Sequence, residues 1–207
     1  MIITFTNQKG GTGKTTNCIM FANYLSEIGI SVQILDVDFQ QSAKRKRDRD
    51  VATYDNIPPY DILPCGSLDE GLQFIKSYDK ENSINLLVDL PGHLDDIRIM
   101  KIISLSDVVI TPFTYEEMVL QSTFETVNFM EKCGVEAQVF MVPNMMNKSV
   151  RYDRKIVEPE LNKYGVVTKD VPERVALQRI TTLGLQDKEK ELVEPAYSQI
   201  VEIAQIK

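Results

Sequence analysis

The sequence is poor in cysteine, in positive charge and in long apolar runs, and each shortage excludes something. Cys18, Cys65 and Cys133 are odd in number and far apart. That spacing excludes a C-x-x-C metal pair and a disulfide framework, and it fits reduced, mostly buried thiols. No apolar run approaches the roughly 18 residues that a membrane helix needs. The opening MIITFT has neither the basic start nor the long apolar stretch of a secretory signal, so a cytosolic location is expected. Lys and Arg number 23 against 30 Asp and Glu, a net charge of −7 that rules out a uniformly basic coat but leaves room for a local basic patch. Internal repeats, low-complexity tracts and linkers are also missing, so the 207 residues are expected to form one domain, 1–207, around a generous core.

What is present is alternation. Short β-branched or apolar runs predict strands at residues 2–6, 31–35, 84–89, 108–111 and 137–142, with a short one near Ile62 and Leu63 and an edge strand at 166–171. Between them lie stretches of helical spacing at 15–28, 40–51, 69–78, 96–105, 116–132, 150–164 (bending or restarting near Pro159), 173–182 and 195–206. Residues 84–89 are almost unbroken apolar, as a central parallel strand buried on both faces should be. The order predicts a three-layer α/β/α fold with a mostly parallel central sheet of about seven strands.

The richest segment is Asn7-Gln8-Lys9-Gly10-Gly11-Thr12-Gly13-Lys14-Thr15-Thr16, between the first strand and the first helix. Helix N-terminal amides and the helix dipole favour an anion at that junction. Gly10, Gly11 and Gly13 let the backbone approach phosphates closely, with Thr12 inside the same loop. Lys14 would reach the β- and γ-phosphates, the Thr15 hydroxyl would bind Mg²⁺, and Thr16 would add a hydroxyl near the α-phosphate. The usual G-x-x-x-x-G-K-[ST] pattern has Gly where this chain has Gln8, and a second lysine, Lys9, stands on the loop.

That wording resembles the deviant Walker-A signature of the ParA/MinD family of P-loop NTPases. The resemblance implies ATP and Mg²⁺ as cofactors and a Lys9 that reaches the phosphates of a partner copy's nucleotide; on its own, Lys9 reads equally as a solvated loop lysine. Ile34-Leu35-Asp36-Val37-Asp38-Phe39-Gln40 is similar to the family's D-x-D-P-Q segment, with Phe39 where Pro is usual and Gln41 where Gly is common. The resemblance gives Asp38 the task of positioning the attacking water and Asp36 a place in the Mg²⁺ shell, while either carboxylate could also cap the next helix. Leu86-Leu87-Val88-Asp89-Leu90-Pro91-Gly92 looks like Walker B, with Asp89 on Mg²⁺ through water and Gly92 near the γ-phosphate. Asn144, in Val142-Pro143-Asn144, sits where the family contacts adenine, or is an ordinary Pro-Asn turn; Pro172 falls in the segment that lines the other side of the base.

The short length and the loop wording are most similar to ParA-type partition ATPases of plasmids and mobile elements. Such a protein would be a weak ATPase that dimerises with ATP, is stimulated by a ParB-like or other activating protein, and binds non-specific DNA. Candidate basic residues are Lys44, Arg45, Lys46, Arg47 and Arg49, and a second set of Lys148, Arg151, Arg154 and Lys155; both sets read equally as solvated helix surface. The tail 195–207 lacks the basic amphipathic helix of a MinD-type membrane anchor. His93, after Walker B, reads as a partner contact or as incidental. Two rivals remain: a positioning ATPase for a protein machine such as conjugation, without DNA contact, and a metabolic P-loop ligase or kinase.

Overall fold

The computed structural model describes residues 1–79, 83–92 and 96–207; His93 lies outside them. Strands β1 (Ile2–Phe5), β2 (Val32–Asp36), β3 (Asp61–Pro64), β4 (Asn85–Asp89), β5 (Val108–Phe113), β6 (Gln138–Pro143) and β7 (Val166–Val167) form one sheet in the order β3-β2-β4-β1-β5-β6-β7. Every pairing is parallel. Alternate side chains enter two separate cores. Ile3, Phe5, Ile34, Leu87, Ile110 and Phe140 join one; Ile2, Leu35, Leu86, Val88, Val109 and Met141 join the other. This period of two, with both faces covered, is why the strands read as continuous apolar runs.

Helix α1 (Lys14–Glu27) and helix α8 (Asp187–Ala204) cover the first face, where Phe21 meets the Tyr197 ring edge-on with centroids 5.1 Å apart. Helices α3 (Leu68–Ser77), α4 (Ile97–Ser104) and α5 (Glu117–Lys132) cover the second. Local chemistry sets the starts of two of these. The Ser67 hydroxyl accepts from the Glu70 amide, and the Asp96 carboxylate accepts from the Arg98 amide.

The expected three layers are present, but several boundaries differ. Helix α8 begins eight residues before Pro195, because Gln186 and Glu189 form a reciprocal capping box; Pro195 lies on the exposed side, where the Glu191 carbonyl it leaves unbonded can meet water. The edge strand is two residues, since Asp170 is drawn off to an ion pair with Arg154, Nη2 to Oδ2 2.6 Å. The helix expected over 150–164 is α6 (Arg154–Leu161), with Pro159 inside it. The Asn147 side chain accepts from the Ser149 amide, and the Tyr152 hydroxyl accepts from the Asn147 amide, which turns the chain before the helix can start. The helix expected over 173–182 is the single turn α7 (Val175–Gln178).

Residues 179–184 leave the helical path because side chains capture their backbone. Asn23 Nδ2 donates to the Thr181 carbonyl (2.8 Å), and Arg47 on helix α2 (Ser42–Tyr54) donates to the Thr182 carbonyl (3.1 Å) and hydroxyl (2.9 Å). Asp50 accepts from the Thr182 amide (2.7 Å) and hydroxyl (3.0 Å). The Arg47 guanidinium stacks 4.7 Å over the Tyr60 ring, whose hydroxyl donates to Asn23. Arg47 and Asp50 are each only 6% exposed. Removing one member of such a network strands the others in a dry site. Asp50→Ala should therefore lower stability by about 3 kcal/mol, with an unchanged denaturant slope in urea unfolding.

Candidate nucleotide site

Strand β1 is central, between β4 and β5, and the chain leaves it toward β2 on one side and later fills the other. The crevice beyond the carboxyl ends of β1, β2 and β4 is thus the topological switch point, where open α/β sheets take ligands. The loop after β1 is pinned there. Asn7 Nδ2 donates to the Pro112 carbonyl (3.0 Å) and to Thr123 Oγ1 (3.1 Å), while its Oδ1 accepts from the Lys9 amide (3.0 Å). Gly13, at φ 88°, caps α1 in the left-handed conformation. A Cβ at Gly13 would lie 2.4 Å from Asn144 Nδ2, and one at Gly92 would lie 3.1 Å from Lys14 Nζ. Gly13 therefore holds backbone where a side chain would displace Asn144, and a side chain at Gly92 would press on the tip of Lys14.

These elements enclose a cleft of about 580 Å³. Gly10, Gly11, Gly13, Lys14, Thr15 and Thr16 form one side; Asp38, Gln40, Ser42, Lys46 and Gly92 line the rest with Met145, Gln178 and Ile180. Lys14 is buried, and its ammonium lies 3.4 Å from the Lys9 carbonyl. Burial lowers its pKa, opposed by the Asp89 and Asp38 carboxylates. Asp89 is fully buried at the end of β4, and neither carboxylate oxygen has a hydrogen-bond partner. Burial pushes its pKa up to about 7, with Asp36 and Asp38 adding; the nearby Thr15 hydroxyl opposes the rise without normal hydrogen-bond geometry. Asp36 is buried too and raised by burial; Oδ2 accepts from the Lys44 amide (3.0 Å), whereas Oδ1 is unpartnered.

Three orphaned carboxylate oxygens beside a buried lysine fit an absent cation with its waters. No three His, Cys, Asp or Glu side chains converge as ligands among the described residues. A Mg²⁺ that keeps several waters and borrows phosphate oxygens suits such a sparse donor set. Of the residues expected to hold the ion, Thr15 lines the cleft and its hydroxyl acts on the Asp89 carboxylate, and Asp36 is close enough to Asp89 to raise its pKa.

A second cavity of about 240 Å³ shares Thr16, Met145 and Gln178 with the first. Met20, Val171, Pro172 and Leu177 line it with Asn144, Glu173 and Arg174, a mostly apolar lining with a few polar groups such as small-ligand sites have. Asn144 and Pro172 are both there. Asn144 has a second task that sequence reading missed, because its Nδ2 donates to the Thr12 carbonyl (2.8 Å) and ties β6 to the phosphate loop. Met20 and Leu177 were also missed; the only signal for Met20 is its place one helical turn after Thr16.

Other predicted residues separate. Lys9 is half-buried, lines neither cavity and makes no ion pair among the described residues. Asp38 lines the cleft and accepts from the Gln40 amide (2.9 Å). Phe39 is 90% exposed, and Gln41 takes the left-handed conformation at φ 49°, which accounts for glycine being common at that place. The α2 basic cluster disperses. Arg47 is buried, Lys44 pairs with Asp48, Lys46 lines the cleft, and Arg45 and Arg49 are exposed. In the second set Arg154 is paired with Asp170, while Lys148, Arg151 and Lys155 are exposed.

A glycine loop feeding a helix at the switch point, with a buried lysine and orphaned carboxylates across from it, defines a phosphate-binding protein of the P-loop class. Residues 3–185 match the CobQ/CobB/MinD/ParA nucleotide binding domain, and the chain belongs to that family, whose ParA and MinD members are ATPases. No curated protein matches the chain. Among solved structures, a Borrelia burgdorferi B31 protein assigned to plasmid partition and bound to AMPPNP is 20% identical (TM-score 0.68; 98% of this chain and 97% of that one covered). MinD of Pyrococcus horikoshii with Mg-ADP is 20% identical (TM-score 0.72; 99% and 97%). The MinC:MinD complex of Aquifex aeolicus is 14% identical (TM-score 0.74; 97% and 96%). No helix among the described residues is long and apolar enough to cross a membrane.

Proposed function

We propose that this chain is a single-domain, ATP-dependent dimerising switch that acts in the partition of a plasmid or other mobile DNA. The polyphosphate lies on the amides of residues 10–16, the Lys14 ammonium neutralises it, and the adenine enters the slot beside Met20, Asn144 and Pro172. Thr15 and Asp89, with Asp36 behind them, hold Mg²⁺, which when bound neutralises developing phosphate charge. Asp38 orients the attacking water. Two copies close over their nucleotides, and Lys9 of each answers the terminal phosphate of the other. Hydrolysis by the free protein is slow, and an activating protein of the ParB kind accelerates it.

The observation that carries this reading is the division of labour between the two loop lysines. Lys14 is buried inside its own cleft, while Lys9, five residues earlier, lines no part of that cleft and pairs with no carboxylate among the described residues. A half-buried ammonium left without an anion is available to one supplied from outside. Light scattering should show dimers with a non-hydrolysed ATP analogue, monomers with ADP, and monomers for Lys9→Ala with either. Equal dimerisation in all of these would sink the switch. The candidate basic residues that stay exposed for DNA are Arg45 and Arg49 on α2 and Lys148, Arg151 and Lys155. Filter binding across a salt series, with and without ATP, separates partition from a protein-machine role: DNA retention that needs ATP and falls steeply with salt supports partition.

A further inference from the structure

We propose that Lys46 is a third cation of the nucleotide cleft, binding the polyphosphate and coupling its presence to the segment 178–182. The proposal rests on the nucleotide reading of the cleft but not on dimerisation. In sequence Lys46 is one of five basic residues in a row of charges and reads as solvated helix surface. The structure sorts that row by face. Ser42 and Lys46 are one turn apart on α2, and both line the phosphate cleft with Lys14 and Asp38. Arg47, the next residue round the helix, and Asp50, one turn beyond Lys46 on the same row, are buried against Thr182.

The Lys46 side chain is only 32% exposed, and its one ion pair among the described residues, to Asp50 Oδ1, is long at 3.8 Å. Charge-assisted bonds of this type close to about 2.7–2.9 Å when the pair is committed. Asp50 is committed elsewhere, since Oδ2 accepts two bonds from Thr182. The Lys46 ammonium is therefore held loosely at the cleft wall, ready for an anion within it. Asp50 links that ammonium to Thr182, two residues from Ile180 and four from Gln178, which line the same cleft. A phosphate that draws Lys46 inward thus acts on that segment through one carboxylate.

The test compares wild-type, Lys46→Gln, Lys46→Arg and, as an exposed control on the same helix, Arg49→Gln. Each is titrated calorimetrically with Mg-ADP, Mg-ATP and AMP, and melted with and without Mg-ADP. Lys46→Gln should weaken Mg-ADP and Mg-ATP binding about tenfold, as loss of one charge-assisted contact does. Arginine should recover most of it, and Arg49→Gln should match wild-type. The nucleotide-free melting temperature of Lys46→Gln should stay at the wild-type value while its rise with Mg-ADP shrinks, a pattern that a purely structural lysine would not give. AMP binding should change far less. Wild-type and Lys46→Gln binding Mg-ADP equally would overturn the proposal, and so would Lys46→Gln losing DNA retention at unchanged nucleotide affinity. If wild-type itself binds no nucleotide, the reading of the cleft fails first and takes this one with it.

Discussion

Gly13→Ala should abolish nucleotide binding and lower the stability of the nucleotide-free chain by about 2–5 kcal/mol. Two penalties combine. Gly13 sits at φ 88°, where an L-residue is strained by roughly 1–2 kcal/mol. The added methyl would also stand 2.4 Å from Asn144 Nδ2, the group that donates to the Thr12 carbonyl. Moving that amide leaves a buried carbonyl unpaired at about 1–3 kcal/mol. The loop that loses its tie to β6 is the one whose amides must face the phosphates, and a displacement of about 1 Å there is enough to lose a hundredfold or more. Gly11→Ala is the internal comparison. Its φ is 81° but none of the described residues lies within 4 Å of the new methyl, so the strain is the main cost and stability should fall by about 1 kcal/mol. Adding Asn144→Ala to Gly13→Ala should cost little further stability, because the Thr12 carbonyl has already lost its donor, a non-additivity that urea unfolding of wild-type, the two single variants and the double variant measures directly. Gly13→Ala binding Mg-ADP within threefold of wild-type would refute the cradle geometry.

The phosphate loop was legible because its chemistry is local. Glycines, Lys14 and Thr15 are adjacent, and the strand and helix on either side are strongly periodic. The alternation of strands and helices was legible for a similar reason, since both faces of the sheet are buried and the central strands are mostly apolar. What sequence reading missed depends on distant partners. Asn144 reaches Thr12 across 132 positions, and Asp50 reaches Thr182 across the same number. The bend after α7 follows from Asn23 and Arg47, and the short β7 follows from Arg154 capturing Asp170; no periodicity encodes such captures. Lys46 was misplaced for a geometric reason. A row of charges on a helix shows its composition but not which of them faces a cleft formed by distant segments of the chain. Pro195 misled because proline commonly opens helices, while the Gln186 and Glu189 capping box that opens α8 is a weaker signal in sequence.

Asp89→Asn should stabilise the nucleotide-free protein while disabling it. An unfolded aspartate titrates near 4, whereas burial holds the folded Asp89 at about 7 with both oxygens unpartnered. Because the folded state binds this proton more tightly, stability from this group is highest below pH ~4, declines as pH rises from about 4 to 7, and is flat above that. A gap of about 3 pH units is worth roughly 4 kcal/mol at most, of which about 1 kcal/mol falls between pH 6 and pH 8. Asparagine keeps the shape without the charge. The variant should therefore be more stable than wild-type at pH 8 by about 2–3 kcal/mol, less than the full gap because its amide also lacks a partner, and its stability should no longer fall between pH 6 and pH 8 through this site. The same substitution removes the charge that answers Mg²⁺, so the ratio of nucleotide affinities with and without Mg²⁺ should drop toward one. Urea unfolding at the two pH values and calorimetry with and without Mg²⁺ read both effects. A variant less stable than wild-type at pH 8, with the wild-type pH dependence intact, would show that Asp89 is ordinarily paired and that the cleft is not built around a missing cation.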